Sequence, residues 1–480
     1  MSSRLKPYPA MKDSGVPWLG EVPEHWAVLP NRALFSEVKE RDHPDEQMLS
    51  VTITKGVIPQ KTLLEDSSKK DGSNQDRSAY KLVCPGDIAY NKMRAWQGAI
   101  GASELRGIVS PAYVVVRPRD KNCARYFHHL FRTPQFAKEA ERWSYGITSD
   151  MWSLRPEHFR MIYCVLPPPE EQTAAVRFLD HADRRIRRFI AAKRRLIELL
   201  NEQKQAIIQK AVTRGLDPNV RLKRSGIHWL GDVPNHWEPV QVRRIVSLVT
   251  SGSRGWAQYY SDDGKIFLQS GNLGRSMALD LSFVQHVSPP EDSEGMRTRV
   301  RKDDLLLCIT GALTGNVALV DVDLEDAYVN QHVALVRPRR ERVDPRFLAY
   351  VLHSGIGRTQ FKTSEYGGTK QGLGLNDVKD VSIALPPLNE QRVIVAHLDA
   401  LLDNLTTLLM RAQHEIDLVR EYRVRLIADV VTGKLDVRGV ELPPLEGAEE
   451  PPPVGGEIAD DATEEGDELE PVEESADTAA

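Results

Sequence analysis

A chain of 480 residues suggests about three domains, and with 41% hydrophobic and 27% charged residues it can build packed cores. No apolar run approaches the ~20 residues of a membrane span, the start Met1-Ser2-Ser3-Arg4-Leu5-Lys6 lacks a signal-peptide core, and Cys84, Cys123, Cys164 and Cys308 lie too far apart for zinc spacing, so a reducing cytosol is expected. The net charge of −5 conceals an asymmetry: residues 441–480 hold fifteen Asp and Glu and no Lys or Arg, while the remainder carries 63 Lys and Arg against 53 acids, a balance that could suit a polyanion but equally describes a mildly basic protein.

In chain order, everything is said twice. The stretch Lys12 to Trp26, with Trp18-Leu19-Gly20 and Val22-Pro23-Glu24-His25-Trp26, returns 211 positions later as Lys223 to Trp237. The paired tryptophans are expected to pin an irregular strap to a core, with His25 and His236 structural rather than ligands. Two bodies follow, residues 27–165 and 238–384, read as short strands separated by polar turns. The strand Ser110–Arg119 matches Asn330–Arg339, and the turn of Leu82–Tyr90 matches that of Val300–Leu307. Helices are expected over 124–142 and 344–363, then Tyr145-Gly146-Ile147-Thr148 and Tyr366-Gly367-Gly368-Thr369, and a last strand. Each body is thus a mixed α+β domain of ordinary size, about 140–150 residues. Their loops diverge, as Gln60–Lys70 against Ser251–Tyr260 illustrates, so one framework presents two different surfaces.

Each body ends in a prolyl turn, Leu166-Pro167-Pro168-Pro169-Glu170-Glu171-Gln172 and Leu385-Pro386-Pro387-Leu388-Asn389-Glu390-Gln391, feeding a long helix. The first runs from about Glu171 to Thr213, with a stripe of Leu179, Ala182, Ile186, Phe189, Leu196, Leu200 and Ile207, and Lys193 and Gln203 in polar slots. The second has Leu398, Leu401, Leu405, Leu408, Ala412, Val419, Tyr422 and Leu426. Alternating steps of three and four are a coiled-coil seam, and the simplest partner of each helix is the other. An antiparallel pair would set Leu179 near the far end of the second seam and keep Lys193 from facing Ala412 directly. The first helix is also basic: Arg184, Arg185, Arg187, Arg188, Lys193, Arg194, Arg195, Lys204 and Lys210 stand against Asp183, Glu198 and Glu202. That stripe is either a solvated face or one for DNA or an acidic partner, the tail included. The tail, rich in Glu, Asp, Pro and Gly, is expected to be disordered.

Catalytic signatures are missing. Gly264-Lys265 and Gly433-Lys434 lack the rest of a phosphate loop, Gly372-Leu373-Gly374 lacks the third Gly of a dinucleotide fingerprint, and no nucleophile elbow, aminomethyltransferase signature or nuclease metal spacing occurs.

The order and duplication of these parts resemble the specificity subunit of type I restriction–modification systems. The resemblance covers about residues 11–437 and rests on Val22-Pro23-Glu24-His25-Trp26 with Val233-Pro234-Asn235-His236-Trp237, on Gly86-Asp87-Ile88 with Gly98 and Asp303-Asp304-Leu305 with Gly315, and above all on the Leu-Pro-Pro-x-x-Glu-Gln turns. It implies an α+β protein with two tandem target-recognition domains (1–165 and 218–384), separated by two spacer helices (166–217 and 385–437) that form an antiparallel coiled coil with pseudo-two-fold repeat, and an acidic tail (438–480) outside the family pattern. Each domain would read one half of a split, asymmetric site on double-stranded DNA. The helices would set the spacer and dock two methyltransferase subunits, which translocating restriction subunits join. The subunit would be non-catalytic, with no cofactor or metal of its own: S-adenosylmethionine, ATP and magnesium would belong to its partners. The alternative is a coiled-coil adaptor with repeated protein-binding domains. Side chains able to grip bases or phosphate are Lys92, Arg94, Trp96, Arg142, Tyr145 and Thr148 in the first body and Arg254, Trp256, Gln269, Asn272, Tyr366, Lys370 and Gln371 in the second.

Overall fold

The computed structural model describes residues 5–65, 77–120, 122–146, 152–252, 255–274, 276–289, 293–364 and 372–444. They fall into two units: Met1–Arg194 with His414–Ala480, and Arg195–Gln413. The division lies inside both long helices, so each unit joins one α+β body to part of each helix.

The first unit is built on an antiparallel four-stranded sheet, in the order Phe35–Val38, Tyr113–Pro118, Ile88–Asn91, Ile100–Ala102. Its central strands are apolar at successive positions because both faces are covered. Val114, Val116, Ile88 and Tyr90 enter the main core, while Val115 and Ala89 enter a smaller cluster with Leu49 and Val83. Period-two alternation sends neighbours to opposite sides. The second unit repeats this order with Val246–Ser251, Val333–Pro338, Leu305–Cys308 and Val317–Leu319. There Leu305, Leu307, Ala334 and Val336 face the main core, and Leu306, Cys308, Val333 and Leu335 the second.

The matched turns and strands meet as ion pairs. Arg117 donates from Nε to Asp87 Oδ1 (2.6 Å) and from Nη2 to Oδ2 (2.9 Å). Arg337 does the same to Asp304, at 2.8 and 2.7 Å. Each carboxylate also accepts a backbone N–H across its turn, from Cys84 and Arg301. The residue before each Asp, Gly86 or Asp303, has positive φ (91° and 72°). The expected helical stretches each break once, into Ala124–Phe131 and Pro134–Arg142, and Pro345–His353 and Gly355–Ser364. Thr133 caps the second piece through the Phe136 N–H, with Pro134 just inside it.

The long helices run Pro169–Arg214 and Leu388–Val431. Their Glu-Gln motifs have separate tasks. Gln172 is fully buried; its Oε1 accepts from Cys123 N (2.8 Å) and its Nε2 donates to Pro167 O (2.9 Å). Gln391 is placed alike, with Asp344 N (2.7 Å) and Pro386 O (2.8 Å). The glutamates hold the straps. Glu171 faces His25 Nε2 at 2.8 Å and accepts from Trp26 Nε1 (2.9 Å) and the Tyr8 hydroxyl (3.0 Å). Glu390 faces His236 Nε2 (2.8 Å) and accepts from Trp237 Nε1 (3.1 Å). The histidines are thus strap anchors. Beneath each strap lies the glycine that ends the other helix. Gly433 (φ +77°) leaves no room for a Cβ against Pro23 and Trp26, and Gly215 (φ +73°) sits against Trp237.

The expected seams hold at Leu179, Ala182, Ile186, Leu398, Ala412 and Leu426, which are buried, and slip by one position at others. Ile190 is buried where Phe189 is 39% exposed, and the half-buried Ile197 replaces Leu196. On the second helix Leu402, Leu409 and Ile416 take the inward places, and Leu401 and Leu408 turn outward. The cause is adjacent apolar pairs such as Leu401-Leu402, which fit a three-then-four and a four-then-three reading equally. Tyr422, placed in the seam by spacing, is 36% exposed. In the first unit Asp183 pairs with Arg423 (2.6 Å) and Lys193 with Glu415 (2.6 Å), while Leu179, Ala182, Leu426 and Val430 share one core. By length and composition the second helix could cross a membrane, one window reaching a mean hydropathy of 1.4. Its Ile394, Leu398 and Leu402 are buried in the second unit's core, and Asp399 accepts from Arg346 (2.8 Å) and from Tyr350.

Candidate nucleic-acid interface

In the first unit, backbone bonds gather three segments around an open cleft of about 570 Å³. Leu154 N donates to Lys92 O (2.9 Å), and Ser153 N to Tyr145 O (3.2 Å). Lys92, Tyr145, Ser153, Arg155 and Glu157 line the cleft. The Tyr145 ring is 58% exposed and meets His158 edge-on, with centroids 4.9 Å apart. Lys81 adds charge nearby: burial, then Lys92 and other cations, lower its ammonium pKa, and its Nζ donates to Tyr113 O (2.6 Å). Two cations, a stacking ring and one carboxylate can hold phosphate and hydrogen-bond a base edge. No nucleophile–base pair lines this cleft, and no group of three or more His, Cys, Asp or Glu suited to a metal occurs among the described residues.

The second unit presents another surface. Asn272 is buried and fully engaged: Oδ1 accepts from Gln269 N (2.9 Å), and Nδ2 donates to Asp280 O (2.9 Å) and Phe283 O (2.8 Å). It fixes the loop that carries Phe283, 91% exposed. Gln269 Nε2 reaches the hydroxyl of Tyr260 (3.4 Å), itself 45% exposed. Two exposed rings, Tyr260 at the start of the strand Tyr260–Leu268 and Phe283 on a hydrogen-bonded loop, are thus presented, with an amide beside the first.

Residues 297–417 match the family model for the type I restriction modification DNA specificity domain. The chain is 25% identical to the MjaVIII specificity subunit of Methanocaldococcus jannaschii, over 87% of this chain and 95% of that one. It is 23% identical to the EcoBI specificity subunit of Escherichia coli, over 74% of each. The chain is thus similar to type I specificity subunits along most of its length. A solved structure from a study of assembly and conformational transition in a type I R-M system shares the fold, with a TM-score of 0.65 at 17% identity, over 86% of this chain and 99% of that one.

In this chain the expected contact residues scatter. Lys92 and Tyr145 come together in the cleft. Trp96 is half-buried, donates to Met93 O (2.8 Å) and packs on Trp152 (5.5 Å). Arg94 is half-buried as well. Arg142 is exposed, pairs with Glu139 (2.8 Å) and lies over Trp143. Trp256 corrects the expectation: it is 3% exposed and stacked on Phe267, a core ring in a small aromatic cluster. Asn272 corrects it too, since no polar atom of its amide is left for a base. Thr148, Arg254, Tyr366, Lys370 and Gln371 lie outside the described residues. Sequence reasoning missed Arg155 and Glu157, whose only signal was their position shortly after Tyr145. It also missed Tyr260 and Phe283, which nothing in the local pattern marks as exposed.

Proposed function

We propose that this chain is the non-catalytic DNA-recognition subunit of a type I restriction–modification complex, each body reading one half of a bipartite, asymmetric site. The observation that carries the reading is one framework built twice with unlike surfaces: identical sheet order and strap anchors, but a cationic cleft in one unit and an amide with exposed rings in the other. The long helices form an antiparallel coiled coil that fixes the spacer between half-sites and docks two methyltransferase subunits. The descending order of Asp183–Arg423 and Lys193–Glu415 supports that direction. At ~1.5 Å per residue each helix spans roughly 65–70 Å. Translocating restriction subunits join the methyltransferase core. S-adenosylmethionine, ATP and magnesium act on those partners and not on this chain.

Replacing residues 27–165 with the matching region of a relative tests this. With methyltransferase subunits supplied, selection of methylated sites from a random library should show one half of the target changed and the other kept. A swap that alters both halves, or neither, overturns independent reading.

A further inference from the structure

Beside the cleft, the first unit has a second, smaller pocket of about 120 Å³, walled by Phe35, Val114, Val116 and Phe159. Asn31 and Tyr90 also line it, and both are 0% exposed. Yet the Asn31 Oδ1 and the Tyr90 hydroxyl have no hydrogen-bond partner among the described residues. The Asn31 amide has one orientation. Its Nδ2 donates to Phe159 O (3.0 Å), a carbonyl that can only accept, so the amide oxygen is the atom left over. Burial holds the Tyr90 hydroxyl well above its ordinary pKa, and it remains an O–H donor.

The framework does not require this polar pair. The second unit builds the same corner: Val242 N donates to Val381 O as Asn31 N does to Ile162 O, and Leu307 lies opposite Ala334 as Tyr90 lies opposite Val114. There the two positions are Val242 and Leu307, both 0% exposed in an apolar core. A buried carbonyl and hydroxyl without partners cost stability that apolar side chains at these places avoid. An occupant that offers a donor to Asn31 and an acceptor to Tyr90 removes that cost. A cavity of about 150 Å³ takes one benzene-sized ring, so 120 Å³ selects a single six-membered ring over a fused pair. Pyrimidine bases carry the matching edge, N4–H beside N3 in cytosine and N3–H beside O4 in thymine. The exposed Arg119 and Arg160 line the same pocket and supply cations for a phosphate, while the lining carboxylate, Glu37, lies 3.6 Å from Lys39. Pro156 lines both this pocket and the cleft, so the two adjoin.

We propose that this pocket binds a pyrimidine nucleotide, its base edge bonded to Asn31 and Tyr90 and its phosphate to Arg119 and Arg160. The nucleotide is either free or part of DNA, its base turned out over the adjoining cleft; only the second source rests on the function proposed above. In the full chain, 5-iodo-dUMP under near-ultraviolet light should cross-link to peptides that hold Phe35, Tyr90 or Phe159. Excess dCMP or dTMP should suppress the cross-link, and dAMP should not. Tyr90→Phe removes only the hydroxyl, so without ligand it should melt no lower than the parent, yet it should bind dTMP about tenfold more weakly. Arg160→Gln should weaken dTMP and leave thymidine unchanged. Cross-links that avoid all three peptides overturn the proposal, as does equal dTMP affinity in the parent and Tyr90→Phe. The source is read on the target found by the methylation selection above, each pyrimidine replaced in turn by its 5-iodo form. A link from one position to the same peptides, lost in Tyr90→Phe, assigns the pocket to a base turned out of DNA. Links from no position assign it to a free nucleotide. If no duplex is bound at all while 5-iodo-dUMP still marks the pocket, the DNA reading fails and the nucleotide site stands.

Discussion

The two strap anchors look alike, yet one is held twice as heavily. In the second unit, among the described residues, Glu390 meets His236 and Trp237. In the first, Glu171 meets His25, Trp26 and Tyr8, with Arg438 a further 3.6 Å away and stacked over the Tyr8 ring. Burial, then the Glu171 charge, pushes the Tyr8 hydroxyl far above its ordinary pKa, so it stays a donor. The difference follows from connectivity. In the second unit the chain passes directly from Gly215 through Leu222 into the strap. In the first, the same position is assembled from two segments remote in sequence, joined where Asp436 N donates to Lys6 O (2.8 Å). Where no peptide bond links the pieces, side chains must hold them in register.

The largest break between the units should come from the turn carboxylates. Asp304→Ala leaves Arg337, 18% exposed, without its partner, and should cost about 4 kcal/mol. Asp87→Ala should cost about half that, because Arg117 is 47% exposed and regains water, which discounts the pair. Urea unfolding followed by tryptophan emission reads both; equal losses would mean exposure does not set their worth.

Next come the glycines under the straps. Gly433→Ala combines positive φ with a Cβ 2.3 Å from the Pro23 ring, and should cost about 3 kcal/mol. Gly215→Ala has positive φ but a nearest contact of 3.3 Å, and should cost about 1 kcal/mol. Thermal melts of the two variants check the order, and a reversal would show that the strap of the first unit yields easily.

Acid gives the smallest difference. Burial lowers His129 to about 4 and depresses its neighbour His128 as well, while the second unit has His353, lowered by burial to about 4. A histidine with a depressed folded pKa binds its proton more readily when unfolded. Its contribution is complete above about pH 6.5, declines as pH falls, and levels off below the folded value. His129 and His353, held near 4, should each cost about 2 kcal/mol by pH 5, and His128 adds to the first unit's loss. Hydrogen exchange at pH 5 and pH 7 should therefore show the first unit loosening more; equal loosening would mean the pair in the first unit titrates as one group.

Much of the fold was legible because repetition supplies its own control. The straps, Glu-Gln turns and strand–turn pairs each occur twice, and both copies make matching His, Trp, Gln and Arg contacts. The one-residue slips at some seam positions show the limit: Leu401-Leu402 offers two leucines, and only the body packed against Leu402 decides between them. Contact residues were less legible. Trp256 and Asn272 have the chemistry of readers, but burial beside Phe267 and the carbonyls of Asp280 and Phe283 commits both to holding loops in place.

By itself the sequence determined the elements, their order and their duplication, because periodicity, prolyl turns and capping glycines act within a few residues. Tertiary structure alone decided that the two motif carboxylates Asp87 and Asp304 face Arg117 and Arg337, that Glu171 holds a strap 145 residues away, and that Lys92 shares a cleft with Arg155. Such pairings depend on which segments a folded sheet brings within about 3 Å of one another, a distance that spacing along the chain does not encode.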